Sequence, residues 1–221
     1  MYTSLLYKEW IKSRRAIWLL LAVFAGVGAY LLLATAKQYQ ADATAYWEFI
    51  VQNSDIQTGR MKYLPLAAGI LLAIVQLTPE MHNRRLKLTL HLPLDESKTL
   101  CTILGFGMTT LAVLFTVTVA ALLAGLRVYL SPEMVFADFI SLLPWMLGGM
   151  AAYLTAAWIC LEPVWKQRIL NLLPGTCWVS FFYTGALPGA YVPFLPWLVA
   201  LIVAGFFFPF YSTARFKHGV Q

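Results

Sequence analysis

The chain has 221 residues, of which 60% are hydrophobic and only 12% charged, with a formal net charge of +6. A soluble domain carries about twice that charged fraction, so water is not the main solvent. The basic excess would mark a nucleic-acid surface if it formed a patch, but Lys and Arg stand beside the apolar runs, which points to membrane topology rather than to nucleic acid.

Taken in chain order, the first 15 residues read as an amphipathic helix lying on the inner membrane surface. Tyr2, Leu5, Leu6 and Trp10 share one face, and Lys8, Lys12 and Arg15, with Arg14 beside them, present positive charge to anionic lipid headgroups. A helix crossing the roughly 30 Å hydrocarbon core needs about 20 residues, and the first such run is Ala16 to Ala36. It is longer than the apolar core of a secretory signal, so it is read as a span and not as a cleaved leader. A polar connection from Lys37 to Arg60 follows, with room for a short helix around Tyr46 to Val51.

The second span, Tyr63 to Leu77, is the shortest, and the segment after it, Thr78 to Lys98, is the most charged in the chain. Spans three to six are placed at Leu100 to Leu126, Phe139 to Leu161, Ile169 to Leu187 and Phe194 to Tyr211. Between the last two, Pro188, Gly189, Pro193 and Pro196 mark a turn. No stretch between spans reaches the roughly 50 residues of an independent domain. The expected fold class is therefore all-α: one polytopic membrane domain over residues 1–221, with six transmembrane helices and an N-terminal interfacial helix.

Cytoplasmic segments hold an excess of Lys and Arg. With the N-terminus inside, twelve of the sixteen basic residues fall on the inner side, leaving Lys37, Arg60, Lys62 and Arg127 outside. Both termini are thus expected in the cytoplasm of a cell-membrane protein. Trp10, Trp18, Trp145, Trp165 and Trp197 fall near span ends, where amphipathic rings favour the interface.

Catalytic and metal-binding patterns are not evident. All ten acidic residues map to connections or span ends, whereas a carboxylate at the bilayer centre would mark an ion or proton path. His82 and His91 lie nine residues apart with no Cys or carboxylate in ligand spacing, and Cys101, Cys160 and Cys177 fit as small packing residues. Gly105, Phe106 and Gly107 begin like a dinucleotide fingerprint, but position 110 is Thr and the run lies inside a span, where small residues serve helix packing. A phosphate-cradling GxxxxGK[ST] loop does not occur. The expectation is a non-enzymatic chain with no metal and no cofactor of its own.

The segment Thr78 to Lys98 carries the most information. Pro79 and Glu80 read as a helix start, Glu80 and Arg84 stand at i, i+4, Leu86 and Leu90 repeat that interval on another face, and Pro93 stops the pattern. The result is a short charged helix with a small apolar ridge.

With these residues in view, the chain resembles permeases of the type-2 ABC exporter family. The resemblance lies in the N-terminal amphipathic helix, the six spans, and the loop between spans two and three. That loop carries Glu80, then Leu86, Leu88 and Leu90, then Leu92, Pro93 and Leu94, and then the polar run Asp95 to Lys98. The chain departs from the family where Asn83, Arg84 and Arg85 stand in place of a Gly-Thr pair, and where Asp95 and Glu96 stand in place of Ser-Arg, which leaves the subfamily and the cargo open.

The resemblance implies that Glu80, Arg84, Arg85, Leu86, Leu90 and Pro93 form a coupling helix docking into a separate ABC ATPase subunit, which binds the ATP. It also implies that two permease chains, identical or different, pair in the working unit. The alternatives are a membrane anchor or assembly protein that recruits a soluble partner, and a secondary carrier. A co-purifying ATPase separates the exporter from both. A pore lined by Thr109, Thr110, Thr116 and Thr118 suits lipids, peptides or drugs equally.

Overall fold

The computed structural model describes residues 2–53, 57–81, 96–185 and 189–217, and is all-helical across them. Helix α1, Tyr2–Ala41, is a single helix of 40 residues, roughly 60 Å long at 1.5 Å per residue. The sequence led us to expect two elements here, an interfacial helix over 1–15 and a span from Ala16. No Gly or Pro interrupts the junction, and one buried stripe runs through it: Leu5, Glu9, Ser13, Leu20, Phe24 and Leu31. Those positions keep the 3.6-residue period of one helix packed along its whole length.

Asp42 ends α1 and starts α2, Ala43–Asn53, which stands where a short helix is expected. The Asp42 carboxylate accepts from the Thr44 amide at 3.0 Å, the Thr44 hydroxyl at 2.7 Å and the Ala45 amide at 3.1 Å, satisfying amides that a helix start leaves unpaired. A 3-10 turn, Gln57–Met61, leads into α3, Leu64–Met81.

The expected helix start at Pro79 and Glu80 is corrected here, because both residues belong to the last turn of α3. Proline removes one backbone hydrogen bond, yet the turn continues because Gln76, Leu77 and Glu80 are all buried against neighbouring helices. The remainder of the expected coupling helix, which runs to Pro93, falls among residues 82–95, outside the described residues.

Helices α4, Glu96–Leu126, and α5, Pro132–Leu161, follow with 31 and 30 residues. Then come α6, Trp165–Ser180, a 3-10 turn at Val192–Phe194, α7, Leu195–Gly205, and α8, Phe207–Lys217. The break between α7 and α8 at Phe206 has a local cause: Pro209 offers no amide to Gly205, four residues back, and its ring crowds that carbonyl.

Helix α5 is the centre of the bundle and packs against α3, α4, α6, α7 and α8. Its Ala151–Ala157 run is buried without interruption, as expected of a helix that is small and apolar on every face. A Cβ at Gly69 of α3 would fall on the Gly149 carbonyl of α5, so these two helices meet backbone to backbone through small residues, the way membrane helices pack.

Among the described residues, five helical segments are long and apolar enough to cross a membrane: Thr3–Ala41, Thr58–Met81, Ser97–Leu126, Pro132–Leu161 and Val192–Arg215. The fifth span expected from the sequence, Ile169 to Leu187, is not among them. Helix α6 has only 16 residues, about 24 Å, because its first turns carry Lys166, Arg168 and Asn171, and the chain turns at Phe181–Tyr183.

The helices nevertheless run alternately up and down between two ends. At one end meet residues 9–13, 76–80, 99–103, 160–168 and 212–215, held by contacts such as Glu9 with Gln76, Thr78 with Cys160, and Glu162 with Arg215. At the other meet Tyr39 with Tyr129, Thr58 with Asp138, and Tyr63 with Tyr183. The start of α1 and the end of α8 therefore lie at the same end of the bundle, and that end carries the basic residues Lys8, Lys12, Arg14, Arg15, Lys166, Arg168 and Arg215.

Candidate functional site

At the basic end, four helices converge on a buried polar node. Glu9 of α1 is fully buried and Glu80 of α3 almost so, at 0% and 2% exposure. Lys12 lies between them, with Nζ 2.7 Å from Glu9 Oε1 and 2.9 Å from Glu80 Oε1. Lys8, one turn earlier, reaches the same Glu80 oxygen at 2.9 Å with its side chain 44% exposed. Two carboxylates and two ammonium groups make the node neutral, the condition under which buried charge is tolerated at all.

The node continues into the bundle through hydrogen bonds. Gln76 Nε2 donates to Glu9 Oε2 at 3.0 Å and to the Ile103 carbonyl of α4 at 2.8 Å. Tyr153 of α5 donates its phenol to Gln76 Oε1 at 2.8 Å, and Ser13 Oγ donates to the Glu9 carbonyl at 2.7 Å. Gly107 of α4 has its role here, because a Cβ at that position would fall on the Tyr153 phenol. Gly107, read from the sequence as a packing residue, is thus what lets Tyr153 reach the node.

Arranged this way, the node ties α1, α3, α4 and α5 to one another at the end of the bundle where α3 finishes at Met81 and α4 begins at Glu96. A fully satisfied buried network is rigid. Among the described residues no group of three His, Cys, Asp or Glu side chains is placed to hold a metal ion.

A second buried acid acts similarly. Glu162, directly after α5, is fully buried. Its Oε2 accepts from Ser212 Oγ at 2.6 Å, its Oε1 lies 3.1 Å from Arg215 Nη1, and its carbonyl accepts from Arg168 Nε at 2.6 Å. This clasp joins α5, α6 and α8.

Of the residues singled out by sequence, the structure brings Lys8, Lys12 and Glu80 together and leaves Arg14 and Arg15 exposed. Lys8 and Lys12, expected to face lipid headgroups, both pair with Glu80. Arg84, Arg85, Leu86, Leu90 and Pro93, like His82, His91 and His218, lie outside the described residues. The four threonines expected to line a pore turn their hydroxyls to their own helix, onto the carbonyls of Gly105, Phe106, Ala112 and Leu114.

Sequence reasoning did not single out Glu9, Gln76 or Tyr153. For Glu9 a signal was present, since it falls four residues from both Leu5 and Ser13 on the stripe that packs. For Gln76 and Tyr153 none was, because only the register of α3 against α5 brings them together. The chain, compared with protein-family models, with curated proteins and with solved structures, matches none of them.

Proposed function

We propose that the chain is the membrane-spanning permease subunit of an ATP-driven exporter, coupled to a separate ATPase subunit through the cytoplasmic segment between α3 and α4. The supporting observation is the position of the buried node. The 82–95 segment is bounded by Met81 and Glu96, and the helices on both sides of it are tied by Glu80, Gln76 and the Ile103 carbonyl to α1 and α5. A push on that segment is delivered to four helices together, as rigid-body switching between two arrangements requires.

In this reading the chain crosses the membrane six times, with α6 and the turn after it forming the fifth crossing and the basic end facing the cytoplasm. In this reading ATP is bound by the partner, since the sequence has no phosphate-cradling loop of its own. Arg14 and Arg15, exposed at the start of α1, face headgroups, and Leu86 and Leu90 form the ridge that enters the ATPase. Two permease chains pair in the working unit.

The test is co-purification and transport with Leu86 and Leu90 both changed to Ala. Loss of an apolar ridge worth about 1.4 kcal/mol already weakens binding tenfold, so the double variant is expected to lose the ATPase while keeping wild-type expression. Full complex formation and transport by that variant would remove the ridge from the mechanism.

A further inference from the structure

On the other face of the bundle, α3 and α6 both pack on α5 and leave between them a half-open trough of about 480 Å³, within the usual range of ligand cavities. Its walls are Ile70 and Ile74 of α3 and Leu172 and Val179 of α6, over a floor that includes Ala156 of α5. Ile70, Ile74 and Leu172 are 37%, 44% and 47% exposed, so the trough is open from the side and not sealed in the core.

The threonine and serine hydroxyls in its lining already donate within their own helices. Thr155 donates to the Ala151 carbonyl at 2.9 Å, Thr176 to Leu173 at 2.9 Å and Ser180 to Cys177 at 2.7 Å. A polar drug or peptide entering here would leave its own donors and acceptors unpaired at a cost, whereas a hydrocarbon chain has none to satisfy. At the end opposite the buried node, Tyr63 and Tyr183 stack with centroids 5.8 Å apart and close the trough. Lys62 Nζ lies 5.6 Å from the Tyr63 ring centre, half-buried, and forms no ion pair among the described residues. An apolar trough lined by Tyr63, with the Lys62 cation beside that ring, suits an acyl chain carrying an anionic headgroup.

We propose that this trough binds one acyl chain of an anionic phospholipid, with the lipid phosphate at Lys62. The site needs no ATPase partner, so it can fail while the exporter reading stands, and the reverse. The experiment uses the purified, delipidated full chain and native mass spectrometry, with phosphatidylglycerol and phosphatidylcholine of identical chains offered in turn. The wild type is expected to retain phosphatidylglycerol about fivefold better, the effect of one lysine at a lipid surface.

Lys62→Gln is expected to abolish that preference while leaving chain binding intact, and its surface position makes it a safe variant for folding. Thr176→Trp, which fills the trough, is expected to lose retention of both lipids, with the unfolding temperature as a control. Equal retention of the two lipids by the wild type overturns the proposal, as does undiminished retention by Thr176→Trp. If that last variant also falls apart from dimer to monomer, the trough belongs to a second copy of the chain.

Discussion

Lys12 is the residue on which the node depends most. It stands between Glu9 and Glu80 with its side chain only 14% exposed, and removing one partner of a buried ion pair leaves uncompensated charge, typically at a cost of about 3 to 5 kcal/mol. Lys12→Met strands Glu9, while Lys8 still reaches Glu80, and should fall in that range. Lys8→Met removes a pair whose cation is 44% exposed and should cost no more than about 1 kcal/mol. Unfolding in detergent, followed for both variants, checks the order. If Lys8→Met proves the more damaging, Lys12 is not the centre of the node. The choice of a charge for this place could not be read from residue type, because the same i, i+4 spacing that marks Lys8 and Lys12 as one helix face is equally compatible with headgroups outside and carboxylates inside.

At the scale of elements, the short helix α2 is set by local chemistry and the long helix α3 by packing. Helix α2 begins at Asp42, whose carboxyl is held below its ordinary range first by the Thr44 hydroxyl and then by the Ala45 amide. A carboxylate with a lowered folded-state pKa stabilises above its unfolded value, about 3.9, and loses that contribution as pH falls through its folded one. The start of α2 is therefore expected to keep its amide protection at neutral pH and to fray only below about pH 4. Asp42→Ala should fray it at every pH. Hydrogen exchange at Ala45 and Tyr46 measures both, and protection unchanged in Asp42→Ala would remove the cap. Helix α3 shows the opposite dependence. Read locally, Pro79 and Glu80 start a helix; in the fold they finish one, because burial of Leu77 and the Glu80 ion pairs outweigh the hydrogen bond that Pro79 omits.

For the whole molecule, topology gives the broadest expectation. With the native cysteines removed, single cysteines at Asp42 and Glu133 should react with an impermeant thiol reagent added outside intact cells, and one at Asn83 should not. The reverse labelling would invert the bundle and place the node and the 82–95 segment on the wrong side for a cytoplasmic ATPase. Composition, the spacing of apolar runs and the distribution of Lys and Arg determined by themselves that the chain is helical, that its long helices are apolar enough to span a membrane, and where most of them lie. Those properties follow from the free energy of moving each segment out of water, which sums residue by residue along the chain. Only the tertiary structure decided that α1 is one helix, that α6 is short, and that Glu9, Lys12, Gln76, Glu80 and Tyr153 form one network. The physical reason is that a buried charge is tolerable only beside its partners: the charged groups come from α1 and α3, and the close approaches of Gly69 to Gly149 and of Gly107 to Tyr153 set α3, α4 and α5 in the register that lets Gln76 and Tyr153 join them.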